Sequence, residues 1–178
     1  MRIIGGKLRS RKINIPQNIE IRPTTDFAKE SLFNILNNLI SFEETKFLDL
    51  FCGSGSISYE FFSRGGNNIT CVDNNFKSIE FIKKTIEIFK ADAIKPIKID
   101  ALKYIESCNV KFDTIFADPP YDMGNIDKIP DLIFNNNLLN DEGIFILEHS
   151  NKYNFSENQN LFDNRKYGSV NFSFFRKL

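Results

Sequence analysis

The sequence predicts a doubly wound α/β fold around a mostly parallel sheet. Short apolar runs at residues 46–51, 68–73, 94–99 and 112–117 alternate with segments in which apolar residues recur at helical spacing. Strands that alternate with helices form parallel sheets with helices on both faces. In such sheets ligands bind beyond the carboxyl ends of the strands. Functional residues are therefore expected directly after each strand.

Composition limits the classes of protein that fit this chain. Its 178 residues, 42% of them apolar, suit a single domain spanning 1–178. We expect a cytoplasmic location, because no apolar run approaches the roughly 20 residues that span a bilayer and the N-terminus lacks a signal-peptide pattern. One histidine, His149, makes Ser-His-Asp hydrolysis difficult to assemble. The three cysteines (Cys52, Cys71 and Cys108) lack metal-ligand spacing, so buried free thiols and no metal are expected.

The first fifteen residues predict a basic hairpin. Residues 2–4 and 7–15 have strand character on either side of the Gly5-Gly6 turn, and residues 1–12 contain no acidic side chain although the whole chain has formal net charge zero. Lys7, Arg9 and Arg11 recur with period two, which places them on one face of an extended strand, where they can contact successive phosphates. The predicted RNA-binding residues are Arg2, Lys7, Arg9, Arg11 and Lys12. The alternative is an edge strand protected by charge.

The remaining elements follow in order. Thr24, Thr25 and Asp26 resemble a helix N-cap and predict a helix over 26–40. Helices are then predicted from about 57, over 76–90, over 101–106 and over 131–139, and a strand is predicted over 143–148. Behind the Tyr167-Gly168 turn, apolar and polar residues alternate from 169 to 174, which predicts a closing antiparallel hairpin with one buried face.

A glycine turn follows the first strand of the sheet. Gly53 and Gly55 stand where the strand turns into a helix, and this arrangement allows a nucleotide-like ligand to approach the backbone. A dinucleotide fingerprint needs a third glycine or alanine, and this chain has Ser58 there. Asp49 is predicted to accept the ammonium of a methionine moiety, which favours S-adenosylmethionine. The alternative is a tight turn without a ligand.

Two aspartates end the next two strands. Asp73 lies 20 residues after Gly53, where a carboxylate can accept both ribose hydroxyl hydrogens. Asp100, or the amide of Ala101, can meet the adenine, although Asp100 is equally plausible as a helix N-cap. The residues assigned to the cofactor from this stretch of chain are Asp49, Phe51, Gly53, Ser54, Gly55, Asp73, Asn74, Asp100, Ala101 and Asp118.

The most specific short motif is Asp118-Pro119-Pro120-Tyr121, which provides the predicted catalytic residues. Two prolines end the strand rigidly and leave a carboxylate, a carbonyl and an aromatic ring at its carboxyl edge. Asp118 and the Pro119 carbonyl can accept the two N–H groups of an exocyclic base amine and direct its nitrogen toward a methyl donor. Tyr121 can stack on a base that has left its helix.

The tetrad does not by itself identify the base. Guanine presents donors at N1 and N2 to an acceptor such as Asp118, whereas adenine presents an acceptor beside its amino group. Similar Asp-Pro-Pro-Tyr motifs occur in DNA adenine methyltransferases, so both bases remain open at this point.

Taken together, these motifs resemble the RsmD family of methyltransferases over nearly the whole chain. The resemblance rests first on residues 2–12 and on Arg22-Pro23-Thr24-Thr25-Asp26 with Glu30, Leu32 and Phe33. Asp49, Gly53-Ser54-Gly55, Asp73, the tetrad at 118–121 and Glu148 follow in the family's order. Tyr121 departs from relatives that have phenylalanine, a change that leaves stacking possible.

The resemblance implies a Rossmann-like, class I S-adenosylmethionine-dependent methyltransferase core over 21–178 with seven strands, preceded by the basic hairpin at 1–20. It implies that Arg22, Pro23 and Thr24 lie over the cofactor. It also implies N2-methylation of a guanine in 16S ribosomal RNA within assembling small-subunit particles. No obligate protein partner is evident from the sequence. Two alternatives remain: a DNA adenine-N6 methyltransferase, which usually carries a target-recognition insertion that is not visible here, and a non-catalytic RNA-binding assembly factor.

Overall fold

The computed structural model describes residues 1–16, 19 and 25–177. Arg22, Pro23 and Thr24 lie outside the described residues. The helices are α1 (Asp26–Leu39), α2 (Ser56–Ser63), α3 (Phe76–Phe89), α4 (Ala101–Ser107) and α5 (Ile129–Asn135). The strands are β1 (Lys46–Leu50), β2 (Asn68–Asp73), β3 (Ile94–Lys98), β4 (Phe112–Ala117), β5 (Leu139–His149), β6 (Leu161–Tyr167) and β7 (Val170–Arg176).

In the described part of the chain, seven strands form one sheet in the order β3-β2-β1-β4-β5-β7-β6. Neighbouring strands from β3 to β5 in this order are parallel. Strand β7 lies between β5 and β6 and is antiparallel to both. This arrangement confirms the predicted doubly wound α/β fold. The chain reverses its direction of travel across the sheet between β1 and β4, and that reversal opens a crevice beyond their carboxyl ends.

Two apolar layers cover the sheet. Side chains of β1 alternate between them, so that Phe47 belongs to the layer containing α1, α2 and α3, and Leu48 belongs to the layer containing α4 and α5. Phe47 stacks on Phe61 of α2 with ring centroids 4.1 Å apart. Each fully buried side chain of this size contributes about 1.5–3 kcal/mol. This packing fixes α2, and with it the turn that precedes the helix.

Capping side chains set where the two longest helices begin. The Thr25 hydroxyl accepts a hydrogen bond from the Ala28 amide at the start of α1, as the sequence predicts. At α3 the Asn75 side chain accepts from the amides of Lys77 and Ser78. None of the helices in the described ranges is long and apolar enough to cross a membrane.

The N-terminal segment, residues 1–13, departs from the predicted hairpin. Its two arms run antiparallel and are joined by a bridge between Arg2 and Lys12. However, Gly6–Leu8 forms one turn of 3₁₀ helix and Ser10 is left-handed at φ 67°, so the prediction of a continuous strand over 7–15 is wrong. The cause is tertiary, because the amides of Ile4 and Gly5 bond to α2 instead of to a partner strand.

Three smaller predictions also need correction. Strand β7 is buried on both faces, not one, because it lies between β5 and β6 with Phe172 in one apolar layer and Phe175 in the other. Helix α5 ends at Asn135, and residue 139 already begins β5. The three cysteines are free thiols as predicted, but Cys108 is partly exposed.

Candidate active site

A cleft of about 660 Å³ lies beyond the carboxyl ends of the parallel strands. This volume suits a nucleotide-sized ligand. Its walls are formed by Thr25, Phe51, Gly53, Asp73, Asn74, Asn75, Ser78, Asp100, Ala101, Asp118, Pro119, Pro120, Tyr121, Asp122, Met123, Glu148, Ser169 and Val170. The structure therefore brings together all four predicted catalytic residues and most of the predicted cofactor residues.

The glycine turn forms one wall of the cleft through strained backbone. Phe51 has φ 58° and Gly55, which precedes α2, has φ 79°. A Cβ at Gly55 would also lie 3.1 Å from the Tyr59 ring and 3.2 Å from Ile82. Glycine is thus required at 55 both by the left-handed conformation and by close packing. Gly55 itself shapes the turn without lining the cleft.

Asp73 ties the glycine turn to the end of β2. Its carboxylate accepts a hydrogen bond from the Gly53 amide at 2.8 Å and another from the Asn75 amide at 2.8 Å. Each oxygen thus takes one backbone N–H, and a carboxylate has further lone pairs with which to accept hydroxyl hydrogens. Asp73 lines the cleft. Its position matches the predicted acceptor of ribose hydroxyls.

Asp100 caps α4 and also lies on the wall of the cleft. Its side chain accepts from the Lys103 amide at 3.1 Å and so caps α4, and it also lines the cleft beside Ala101. Capping fixes the orientation of the carboxylate at the edge of the site. The two alternatives for this residue are therefore compatible.

Asp49 lies behind the glycine turn and not on the wall of the cleft. Its carboxylate is 1% exposed and accepts hydrogen bonds from the Ser58 amide at 3.1 Å and the Ser58 hydroxyl at 2.6 Å. Burial raises the pKa of Asp49 to about 7, although the bonds from Ser58 lower it. Asp49 thus holds the first turn of α2. This placement does not support the predicted contact with an ammonium, and Ser54 likewise lies off the wall.

The Asp118-Pro119-Pro120-Tyr121 motif forms the opposite wall. The Asp118 amide bonds weakly to the Leu50 carbonyl at 3.4 Å, and the Met123 amide closes the turn on the Pro120 carbonyl at 2.9 Å. Beside it on β5 lies Glu148, because β4 and β5 pair in parallel with Ala117 opposite Leu147. Glu148 is 2% exposed and lines the cleft. Two carboxylates therefore occupy neighbouring strand ends.

Several residues of the cleft were not assigned to a site from the sequence. Glu148 could have been found, since it is a carboxylate at a strand end. Asn75 and Ser78 follow Asp73 at the start of α3 and carry the local signal of an N-cap. Ser169 and Val170 carried no local signal, because the antiparallel hairpin of β6 and β7 brings them to the cleft from far along the chain. Thr25, Asp122 and Met123 complete this group.

A buried ionic network attaches the N-terminal segment to α2, and the sequence analysis missed it. The Glu60 carboxylate accepts hydrogen bonds from the amides of Ile4 at 2.7 Å and Gly5 at 2.8 Å. It also accepts one from Arg64 Nε at 2.9 Å. The Lys29 ammonium donates to the Arg2 carbonyl at 2.7 Å and lies 3.9 Å from Glu60. A signal existed, since Glu60 is the one charged residue in an α2 whose residues are all buried.

Close packing keeps the segment against α2. A Cβ at Gly6, where φ is 72°, would lie 1.9 Å from the Ser63 carbonyl oxygen. The exposed side chains of the segment are mostly basic: Arg2, Lys7, Arg9, Arg11 and Lys12 are all exposed. Arg2 pairs with Asp26 at 2.7 Å, and the Lys7 ammonium lies 3.6 Å from the centre of the Phe62 ring. The five cations predicted to bind RNA are therefore all accessible to solvent, although they do not follow a strand.

Comparison with known proteins identifies the family of this chain. Residues 1–176 match the family model Cons_hypoth95, described as Conserved hypothetical protein 95. A putative rRNA methyltransferase, YlbH of Bacillus subtilis, is 34% identical over 161 residues, which cover 88% of this chain and 86% of that protein. The ribosomal RNA small subunit methyltransferase D of Escherichia coli is 30% identical over 148 residues, which cover 83% of this chain and 74% of that protein. The chain belongs to the RsmD family.

A solved structure extends the RsmD comparison to three dimensions. The putative methyltransferase yhhF from Escherichia coli superposes with a TM-score of 0.86 and 27% sequence identity. The match covers 99% of this chain and 97% of that one, so the N-terminal segment and the closing hairpin are included. The cleft described above therefore belongs to an RsmD-family methyltransferase fold.

Proposed function

We propose that this protein transfers a methyl group from S-adenosylmethionine to the exocyclic N2 amine of a guanine in 16S ribosomal RNA. The observation that carries the proposal is that Asp73 and the Asp118–Tyr121 motif, separated in sequence, line one cleft. The names of the RsmD-family relatives support an RNA substrate. The guanine and its N2 atom are inferred from the carboxylates that line the cleft.

The cleft suits the proposed cofactor. Asp73 is oriented by two backbone amides and would hold the ribose hydroxyls, while Asp100 and Ala101, which line the cleft, would border the adenine. The glycine turn lets the methionine moiety approach the backbone at Gly53. When bound, S-adenosylmethionine supplies a methyl group activated on a sulfonium.

The chain's own residues position the base. Asp118 and the Pro119 carbonyl accept the N–H groups of the target amine and direct its nitrogen at the methyl group. Tyr121 stacks on the flipped base. As the nitrogen–carbon bond forms and the carbon–sulfur electrons return to sulfur, the surplus N–H proton passes to Asp118 or to water. Positioning, and not a strong base, supplies most of the rate enhancement.

The paired carboxylates favour guanine over adenine. Asp118 and Glu148 end neighbouring strands in the same cleft, and an ionised carboxylate is an acceptor only. Guanine presents N–H donors at both N1 and N2 to such a pair. Adenine presents its N1 lone pair beside the amine and would be repelled. The arrangement therefore supports an N2-methylated guanine as the product.

The basic N-terminal segment provides the RNA surface. Its five exposed cations can neutralise phosphates, and Glu60 attaches its backbone to α2, which directly follows the glycine turn. The segment and the glycine turn therefore share one rigid support. Phosphate contacts of this kind position RNA without reading its sequence, so the proposed target within the assembling small subunit is selected by shape and by the base site.

Transfer of labelled methyl from S-adenosylmethionine to small-subunit RNA tests the proposal. The RNA is offered naked and as a partly assembled particle, a DNA duplex is the control substrate, and the product nucleosides are analysed. We expect N2-methylguanosine. Methyladenine on the DNA, with no product on either RNA, would instead establish a DNA adenine methyltransferase. If the protein neither transfers a methyl group nor binds the cofactor, it is an RNA-binding assembly factor.

A further inference from the structure

An exposed aromatic pair lies beside the cleft. Phe27, in the first turn of α1, is 66% exposed, and its ring meets that of Tyr167 edge to face with centroids 5.8 Å apart and planes at 80°. Tyr167 ends β6 and contacts the buried Phe172 at 6.1 Å between centroids. The core thus supports Tyr167 from behind, while most of the Phe27 side chain is exposed to solvent.

The pair lies between the cleft and the basic segment. Thr25, two residues before Phe27, and Ser169, two residues after Tyr167, both line the cleft. On the other side, Asp26 binds Arg2 of the basic N-terminal segment at 2.7 Å. A ligand that reaches from Arg2 to the proposed base site along this side of the cleft therefore passes Phe27 and Tyr167.

We propose that Phe27 and Tyr167 form a stacking site for an unpaired RNA base next to the methylated nucleotide. The proposal rests on the function proposed above. Charge and shape identify the occupant. The exposed cations of the basic segment favour an anionic backbone, and the aromatic rings favour flat side groups. Single-stranded RNA has both properties, and proteins bind its splayed bases by stacking on aromatic rings.

The geometry of the pair sets what it can hold. An edge-to-face contact covers at most one face of one ring, so a stacking face remains available on the pair. The two perpendicular rings form a corner. A base that enters this corner stacks on the face of one ring and meets the other ring at its edge. Every base has a π face, so this contact adds affinity and tolerates any base at the flanking position.

Equilibrium binding of naked 16S RNA to the full-length chain tests this proposal. We expect Phe27→Ala to weaken binding by about 5- to 100-fold, as loss of one stacked base does. Phe27→Trp should retain the affinity. The slope of binding against salt concentration should stay unchanged, because stacking neutralises no phosphate. Ile88→Ala, at a side chain of α3 that is 75% exposed, is the matched control and should bind like the wild type.

Tyr167→Ala should show the same loss of affinity, and thermal melting shows whether that variant remains folded. If the Tyr167 variant is unfolded, the affinity of Phe27→Ala alone decides whether the stacking site exists. Unchanged RNA affinity in Phe27→Ala would overturn the stacking site. A loss seen with assembled particles and absent with naked RNA would overturn it in favour of a protein contact.

Methyl-transfer assays on the same proteins, run beside the binding titrations, separate this proposal from the function on which it rests. A wild-type protein that binds RNA and transfers no methyl group contradicts the proposed reaction, while the comparison of the variants' affinities still decides the stacking site. A wild-type protein that binds no RNA overturns both.

Discussion

The Lys29 ammonium lies 3.9 Å from the Glu60 carboxylate, and the two side chains are 1% and 0% exposed. Burial lowers the pKa of Lys29, and the negative charge of Glu60 opposes that change. Both groups also bond to the backbone of the N-terminal segment, at Arg2 and at Ile4 and Gly5. The pair is therefore the point at which the segment, α1 and α2 are joined.

Removing one partner of this pair should be costly. We expect Glu60→Ala to lower the free energy of unfolding by about 3–5 kcal/mol, because it leaves Lys29 charged and buried without its counter-ion. Denaturant titration measures the loss. Glu80→Ala, which breaks the exposed pair with Lys83 at 3.2 Å, is the control and should cost at most about 1 kcal/mol. Equal losses in the two variants would contradict the structural role of Glu60.

Asp49 should make the stability of the protein depend on pH. Its pKa is about 7 in the folded protein and 3.8 in the unfolded reference, so the folded state binds more protons between those values. The contribution of Asp49 to stability is therefore largest below about pH 4 and falls as the pH rises toward 7, by roughly 4 kcal/mol. Denaturation at a series of pH values measures this slope. Asp49→Asn should flatten it and the exposed Asp141→Asn should not; equal slopes in all three proteins would refute the assignment.

Asp73 should control affinity for the cofactor. Asp73→Ala removes the proposed acceptor for the ribose hydroxyls and releases the Gly53 amide, which donates to the carboxylate at 2.8 Å. We expect S-adenosylmethionine to bind about 10- to 100-fold more weakly, as measured by calorimetry. Asp92→Ala, at an exposed carboxylate after α3, is the control. A dissociation constant unchanged by the Asp73 substitution would remove this residue from the cofactor site.

Asp118 should act on the base and hardly on the cofactor. We expect Asp118→Ala to reduce methyl transfer by at least about 100-fold while affinity for S-adenosylmethionine stays nearly unchanged. Single-turnover transfer and calorimetry measure the two quantities separately. Asp127→Ala, in the exposed turn that follows the motif, should retain activity. Undiminished turnover in the Asp118 variant would reject its catalytic role.

The basic segment should contribute through charge alone. We expect reversal of Lys7, Arg9 and Arg11 to weaken RNA binding and to flatten its dependence on salt, by up to about 0.7–0.9 in the logarithmic slope for each phosphate that is no longer neutralised. Binding titrations at several salt concentrations give the slope. Reversal of Lys83, Lys84 and Lys90, which are exposed on and after α3, is the control. If the two triple variants have the same slope, the segment is a protected edge and not an RNA surface.

The sequence predicted the sheet and most of the site because both depend on local patterns. Strand β2 and the start of α3 follow from apolar periodicity and an N-cap, and Asp73 and Asp118 follow from their places at strand ends. The surroundings of Asp49 could not be predicted, because a carboxylate near a glycine turn looks the same in sequence whether it faces a ligand or, as here, Ser58. The direction of a side chain at a strand end depends on packing that no local pattern encodes.

The N-terminal segment shows the same limit more strongly. Alternating cations predicted an extended strand. However, Glu60, more than 50 residues away, accepts hydrogen bonds from the amides of Ile4 and Gly5, and the chain that follows forms a 3₁₀ turn. Bonds to a buried carboxylate outweigh the weak preference of a short strand. Such a contact could be suspected from a lone glutamate in an apolar helix, although its partners could not be named.

The attachment of the basic segment to α2 has a thermodynamic consequence. Because α2 begins at the glycine turn and Glu60 holds the segment on α2, we expect any displacement of the turn by a bound cofactor to move the segment with it. The two binding equilibria are then linked, and the factor by which the cofactor raises affinity for RNA must equal the factor by which RNA raises affinity for the cofactor. The demethylated cofactor product would share most of that coupling, so release of the modified RNA and exchange of the spent cofactor would be interdependent steps of each turnover.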